Sequence, residues 1–465
     1  MKRVVRRTIS KISNTAFKVI SIFALICIIV YLKSADSFVE ESVAPQHENP
    51  LDFEATIGKV DNETFIAAIL VICANRADAL KNHLTQLLSQ RPSSNQYHVI
   101  ISQDGNSDAV RHAAIKFVND FRNVTFMQHE KIVTKKRDNY PAISAHYKWA
   151  LDKVFRELKY EHVIITEDDL DIGNDFFSFF EWGKRILQLD KSIWCISAWN
   201  DNGAPQLIDA NKSDLVWRTD FFPGLGWMLT KEIWNELSGN FPPSYWDDWM
   251  RKPEIRKNRS CIRPEISRTS HNMRLAGKGS SGGMYKDFLS KIGASRSNMD
   301  FSLLPASIVE KKNYDSHLIA DIKNSKSIDI NDTSSIPSIN ISHTYKISYK
   351  NIRDWNNLAK FFKIMTDIRG GMQRTAYYGV VTVMYKETRV YLVPNVTYDN
   401  PDKLTEHAYD PDWDKQNRFI EFENHYCKSK KYTGKCDPHD PAMIEFFRKK
   451  GWKKRLADWG EMIVV

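Results

Sequence analysis

The 465-residue sequence has no G-x-x-x-x-G-K-[ST], and no G-x-G-x-x-G in it follows an apolar strand run. This removes the usual phosphate cradles of dinucleotide oxidoreductases and P-loop NTPases. Gly277-Lys278-Gly279-Ser280-Ser281-Gly282-Gly283 has the G-x-G-x-x-G spacing at Gly277, Gly279 and Gly282, but no apolar strand run precedes it and the G-x-x-x-x-G-K-[ST] register is missing. Six cysteines supply no closely spaced pair, and Cys427 and Cys436 stand nine apart without histidines at ligand spacing. A structural zinc site therefore has no basis. A basic surplus is also missing where it would matter. The formal charge is +9, but Lys2, Arg3, Arg6, Arg7, Lys11, Lys18 and Lys33 precede the first acid, leaving 59 of the 66 basic residues to face 57 acidic ones. Nucleic acid is accordingly not expected as a partner.

Long apolar runs are scarce, and the one that exists follows that basic leader. Val19 to Leu32 is almost wholly apolar, and the run extends to Ala16 if Lys18 snorkels toward the headgroups. Residues 16–32 make a short span suited to the thinner bilayers of the early secretory route. The charge bias places the N-terminus in the cytosol and the bulk of the chain in the lumen. The expected layout is a cytosolic tail at 1–15, a single-pass anchor at 16–32 and a polar stem at 33–61. A cleaved signal peptide is the alternative, but the basic leader is long and no convincing small-x-small cleavage site follows Leu32. Sequons at Asn62, Asn123, Asn211, Asn258, Asn331, Asn340 and Asn395 all fall on the lumenal side. Five cysteines also lie there, an odd number that leaves one thiol over from two disulfides, or one intermolecular bridge.

With this length the lumenal part has ample core. Phe65–Cys73, His98–Ser102, Val124–Met127 and Val163–Ile165 read as apolar strands, separated by a helix opening at Asn75-Arg76 and another starting at Pro141. Strands of this kind alternating with helices predict an α/β fold with a mainly parallel sheet covered on both faces. Ligands of such sheets sit past the carboxyl ends of the strands, where Arg76, Asp104 and Asp169 fall. The run Thr166-Glu167-Asp168-Asp169-Leu170-Asp171 is the most telling of these ends. Carboxylates there suit a hard divalent cation that in turn holds a phosphate. Phe221–Trp227 and Tyr245–Met250 set aromatic residues beside turn residues and acids, as sugar rings ask: their C–H faces stack and their hydroxyls need acceptors. A metal-dependent transferase using a nucleotide sugar is the reading these residues support. Residues 62–276 would form the nucleotide-binding domain, 277–300 a mobile linker, 301–414 a smaller C-terminal α+β domain, and 415–465 an extension of unknown role.

Five blocks carry a family resemblance. They are Glu167-Asp168-Asp169-Leu170, Trp194 to Gly203, Arg218 to Trp227, Trp246-Asp247-Asp248-Trp249-Met250-Arg251, and Cys261 to Thr269. In this order they resemble the N-acetylglucosaminyltransferase I family, from about Phe65 to Trp413. The resemblance implies a GT-A fold, a type II Golgi membrane anchor, UDP-GlcNAc as donor, Mn²⁺ as metal, and β-1,2 transfer to the α-1,3-arm mannose of a high-mannose N-glycan on glycoproteins. It makes Asp169 the metal ligand, with Glu167 and Asp168 on the donor's sugar and ribose. Arg76, Asp104 and His146 match the family's uridine and phosphate contacts, Leu225 the donor-pocket wall, and Asp247 the general base. Trp246 stands beside that base as a substrate-binding aromatic. Ser280 and Ser281 align with the loop closing over the donor, after three extra residues. The resemblance also implies a Cys195–Cys261 disulfide and leaves Cys73 as the odd thiol, because its usual partner position is Gly105; Cys427 and Cys436 would close a small loop.

Chemically, inversion at the anomeric carbon needs one carboxylate to take the proton of the attacking hydroxyl. A like-charged neighbour and partial burial are expected to raise the pKa of Asp247 for that task. Two other readings compete. A protein O-mannose β-1,2-N-acetylglucosaminyltransferase shares the donor chemistry, but the stem has no room for its extra N-terminal domain. A catalytically inactive, lectin-like membrane protein would need neither Asp169 nor Asp247.

Overall fold

A computed structural model describes residues 65–130, 139–276, 285–335, 343–394, 419–420, 422–450 and 456. The expected tail, anchor and stem lie outside the described residues, as do Ser280 and Ser281. Among the described residues no helix is long and apolar enough to cross a membrane.

The elements run β1 Ala67–Cys73, α1 Ala77–Gln90, β2 Tyr97–Asp104, α2 Asp108–Asp120, β3 Val124–His129, α3 Tyr140–Asp152, β4 His162–Glu167, β5 Leu170–Ile172, α4 Phe176–Leu189, β6 Ile193–Ser197, β7 Val216–Thr219, β8 Trp227–Thr230, α5 Lys231–Leu237, α6 Trp246–Met250, β9 Ser260–Pro264 and β10 Thr269–His271. Eight of the strands form one sheet in the order β3-β2-β1-β4-β8-β6-β9-β7. The first four are mutually parallel, as the apolar runs predict. Six of the eight strands, β3, β2, β1, β4, β6 and β9, run the same way, so the sheet is mainly parallel as expected. β8 enters antiparallel between β4 and β6, and β7 antiparallel beside β9, so the sheet is mixed.

β1 is buried throughout, and each of its larger side chains stabilises the fold by roughly 1.5–3 kcal/mol. On one face α1, α2 and α4 pack with Leu84, Leu87, Phe176, Phe180 and Trp182. On the other α3 packs with Tyr147, Leu151 and Val154. α4 lies unusually close: a Cβ on Gly183 would meet Ile196 Cγ2 at 2.8 Å, so the glycine permits helix and sheet to touch. Cys195 and Cys261 stand opposite each other on β6 and β9 and are joined as a disulfide.

The chain continues with α7 Lys311–Asn324, β11 Lys326–Ile328, β12 Tyr345–Tyr349, α8 Ile352–Phe362, the hairpin β13 Ile368–Arg369 and β14 Met372–Gln373, β15 Val381–Tyr385 and β16 Thr388–Pro394. A second sheet, β11-β12-β16-β15, encloses a core of Ile347, Trp355, Leu358, Val381, Val383 and Leu392. Ala204 and Leu207 of the first part reach into that core, while Phe301 and Val309 remain in the first. Finally, α9 Pro441–Lys449 gathers Phe422, Tyr426, Met443, Phe447 and Leu456 into a small aromatic cluster, stapled by the Cys427–Cys436 disulfide.

Candidate active site

The acidic turn forms where β4 outruns its partner. Glu167 ends the ladder opposite Ile72, the Asp168 amide donates to the Ile72 carbonyl at 3.0 Å, and β5 leaves to pair with β10. A brace from α1 fixes this shape. His83 is fully buried, its Nδ1 lies 2.6 Å from the Leu170 carbonyl and its Nε2 2.9 Å from Thr166 Oγ1. Burial pulls the His83 pKa down, so the ring is neutral, donating to the carbonyl and accepting from the hydroxyl. It thereby spans the turn from one shoulder to the other. Asn82 and Gln86 donate to Asp171 Oδ1 at 2.8 and 2.6 Å, and Asn272 joins them at 3.1 Å.

Arg76, at the N-terminus of α1, answers the acids. Its guanidinium donates to Asp169 Oδ2 at 2.6 Å and to Asp168 Oδ1. Burial pushes Asp168 up to about 6 against the pull of Arg76. Burial, then the charge of Asp169, pushes Glu167 up to about 7, and Tyr147 donates to its Oε1 at 2.8 Å. Two buried oxygens, Asp168 Oδ2 and Asp169 Oδ1, have no hydrogen-bond partner.

Two further strand ends flank this group. Asp104 accepts from His129 Nδ1 at 3.0 Å. His146, on α3, bonds Ser102 Oγ through Nε2 at 2.8 Å and stacks on His129 with centroids 5.5 Å apart. Burial and then His129 pull His146 down to about 3, so it serves as a neutral group. Between the two clusters lies Cys73, unpaired and buried, its Sγ 3.4 Å from the Ser102 carbonyl. Its thiol is pushed up by burial and then by Asp168, with Arg76 and Asp104 also in electrostatic range. Arg76, Asp104, Asp168 and Asp169 are thus gathered around one strand end.

Asp247 sits in the first turn of α6. Arg251 Nη1 donates to Asp247 Oδ2 at 2.9 Å and to Asp248 Oδ1 at 2.8 Å. From the C-terminal sheet region, Arg369 reaches Asp248 Oδ2 at 3.3 Å. The tip of its hairpin comes so near that a Cβ on Gly370, whose φ is +55°, would stand 2.5 Å from the Arg251 carbonyl oxygen. Burial pushes the Asp247 carboxyl up, but the charge and hydrogen bond of Arg251 outweigh it and hold the pKa below the ordinary value. The expected upward shift is therefore corrected. The acidic neighbour is neutralised by arginines, and the i,i+4 spacing of Asp247 and Arg251 puts their charges on one helix face.

Tyr147 bridges the two halves. Its hydroxyl meets Glu167, its ring stacks on Trp246 at 4.3 Å, and Glu167, Asp169 and Asp247 all raise its pKa beyond the effect of burial. Trp246 is only 9% exposed and also stacks on Trp227 at 5.8 Å. It anchors the α6 turn in the core and offers no open plane. Leu225 adopts φ +52° between Gly224 and Gly226, its carbonyl accepting from Thr269 Oγ1 at 2.6 Å. Sequence reasoning missed His83, Asn82, Gln86 and Arg251. Asn82 and His83 stand four and three residues before Gln86, so all three reach the acidic turn from the same side of α1.

Among the described residues no group of three or more His, Cys, Asp or Glu could hold a metal ion. Asp169 Oδ1 nevertheless fits a cation that takes a single protein oxygen, because it is buried, carboxylate in character and unpartnered.

The profile of the GNT-I family matches residues 13–413. An Arabidopsis thaliana relative, alpha-1,3-mannosyl-glycoprotein 2-beta-N-acetylglucosaminyltransferase, is 36% identical over 336 residues, covering 70% of this chain and 74% of the relative. Among solved structures, a mannosyltransferase from Pyrobaculum calidifontis in complex with GDP-Man and Mn²⁺ aligns with TM-score 0.33 and 12% identity over 62% of this chain and 84% of its own. S. aureus TarS 1-349 in complex with UDP-GlcNAc aligns with TM-score 0.32 and 10% identity over 55% of this chain and 65% of its own. By the extent of the family match and the identity to the plant relative, this chain belongs to the GNT-I family.

Proposed function

We propose that this chain transfers N-acetylglucosamine from UDP-GlcNAc, in β-1,2 linkage, to the α-1,3-arm mannose of a high-mannose glycoprotein N-glycan. The observation that carries the reading is the juxtaposition, within a chain of this family, of the Asp169 turn and Asp247 on either side of Tyr147. The α/β sheet with its acids past the strand ends supports a GT-A description. Arg76, Asp104 and neutral His146 suit the uridine and phosphates. Glu167 and Asp168 suit hydroxyls of the donor sugar and ribose, and Leu225 walls the pocket. Asp169 Oδ1 would hold Mn²⁺, whose charge, when bound, offsets that of the departing diphosphate.

Asp247 takes the proton of the mannose 2-hydroxyl as it attacks the anomeric carbon in line, inverting it. The pair with Arg251 keeps this carboxylate ionised, at the expense of some basicity. Residues 16–32 would anchor the chain in the Golgi membrane as a type II protein with the catalytic part in the lumen.

The test is turnover by the full-length chain in detergent with UDP-GlcNAc and Mn²⁺, comparing Man5GlcNAc2 with an O-mannosyl peptide. GlcNAc appearing on Man5GlcNAc2 is expected. Donor binding without transfer to either acceptor would sink the reading, and transfer only to the O-mannosyl peptide would reassign the acceptor.

A further inference from the structure

Aromatic residues beside Asp247 are what a sugar needs, yet the structure buries nearly all of them. Trp199, Trp227 and Trp246 are 0%, 2% and 9% exposed. Trp249 is partly buried, and Tyr245, two residues before the base, is 49% exposed.

Three features make Tyr245 more than a stray surface ring. Its φ of +52° lies in the left-handed region, which costs a bulky residue about 1–3 kcal/mol and persists only where the surroundings enforce it. Here they do: Trp246 is locked in the core, and the Trp249 amide donates to the Tyr245 carbonyl at 3.0 Å. The ring is also backed, stacking on Tyr140 with centroids 4.1 Å apart and planes within 29°. Lastly, the location is defined by α3. Tyr140 and Tyr147 are seven positions apart on that helix, so they share a face two turns, roughly 10 Å, apart. Consecutive residues of the base-bearing turn stack on them: Trp246 on Tyr147 and Tyr245 on Tyr140. Tyr147 touches Glu167. The exposed ring therefore stands two helical turns along from the donor end, with Asp247 close by in the chain.

We infer that Tyr245, backed by Tyr140, is the stacking platform that receives a mannose ring of the acceptor. The inference deepens the transfer reading proposed above and rests on it. A pyranose laid on this ring turns its C–H face to the aromatic plane and leaves its hydroxyl edge for the neighbouring carboxylates Asp247 and Asp248, which are 41% and 32% exposed. The strain at Tyr245 has a use on this view, because it holds the ring out at the surface while its neighbour plunges inward.

The experiment compares the full-length chain with Tyr245→Phe and Tyr245→Asn, asparagine being a residue that tolerates the left-handed backbone. Binding of Man5GlcNAc2 in the presence of UDP is followed by saturation-transfer NMR, alongside steady-state kinetics and thermal unfolding. Tyr245→Asn is expected to weaken glycan binding and raise the acceptor KM at least tenfold, with the donor KM and the unfolding temperature unchanged. Tyr245→Phe, which keeps the ring, should behave as wild type. Glycan binding within twofold of wild type in Tyr245→Asn overturns the platform, as does a parallel loss for the donor, or no glycan binding by the wild type. Because binding is read separately from turnover, a wild type that binds glycan through Tyr245 without transferring GlcNAc would refute the transfer reading while leaving the platform standing.

Discussion

Arg76 holds Asp169 by one oxygen, Oδ2 at 2.6 Å, and leaves Oδ1 buried without a partner. The carboxylate is thus oriented by an arginine on one side and open on the other, as a single-oxygen cation ligand should be. Asp169→Asn should abolish Mn²⁺-dependent UDP-GlcNAc binding in calorimetry. Arg76→Lys, which loses the forked contact to the two acids, should weaken it by about tenfold. Donor affinity that is unchanged in Asp169→Asn would move the metal elsewhere.

The role proposed for Asp247 as the base makes a pH prediction. Asp247 must be ionised to accept a proton, and Arg251 holds its pKa down, so activity should persist well into acid and fall only as pH drops through that lowered value. Removing the guanidinium with Arg251→Gln raises the pKa, and the acidic limb of the kcat/KM profile should move to higher pH. Asp247→Asn should cost about 100-fold or more in kcat with donor affinity kept. An acidic limb that ignores Arg251 would mean another group titrates there.

His83 is a positioning residue for the acidic turn. His83→Ala leaves the Leu170 carbonyl and the Thr166 hydroxyl buried and unpaired, a loss of about 1–3 kcal/mol in stability. If the brace also sets the turn, donor KM should rise by about tenfold, and His83→Gln should restore part of it. A stability loss with unaltered donor KM would reduce His83 to a core residue.

Acid sensitivity should also come from the junction of the two sheets. Burial pushes Asp367 up, but Arg374 and then Arg369 hold its pKa down at about 2. Arg374 clasps both its oxygens at 2.9 Å and reaches Asp201 at 2.6 Å. A carboxylate with a depressed folded pKa contributes stability above its unfolded value, near 4, and loses it as pH falls toward 2, about 2 kcal/mol in all. Chemical denaturation of Asp367→Asn at pH 7 and pH 2.5 should show a deficit at the first pH that shrinks at the second.

The two disulfides should differ in effect. The Cys195–Cys261 link closes 66 residues within the main sheet, and on loop-closure entropy its removal costs about 4 kcal/mol. The Cys427–Cys436 link closes nine within the small aromatic cluster. Replacing both cysteines of the second pair by alanine should leave turnover and the main unfolding transition in place, whereas the same change in the first should lower that transition by many degrees.

Much of this was legible in the residues. β1, β2 and β4 announce themselves as apolar runs, and Arg76, Asp104 and Asp169 as polar residues at or just past their ends. Direction was not legible in β8, since Trp227–Thr230 carries no mark of antiparallel pairing. Nor was the electrostatics of Asp247. The spacing to Arg251 was visible, but its weight against Asp248 depended on Arg369, 121 residues away. Trp246 and Tyr245 were equally aromatic on paper; only packing decides which of two adjacent rings turns inward.

α3 therefore acts as a ruler. The distance between Tyr147, which bonds Glu167, and the exposed ring at Tyr245 is stored as a count of seven residues on a rigid helix. Deleting one residue between Tyr140 and Tyr147 would rotate the two tyrosines off a common face by about 100°, and the Glu167 turn and the Tyr245 ring would no longer be held to the same scale.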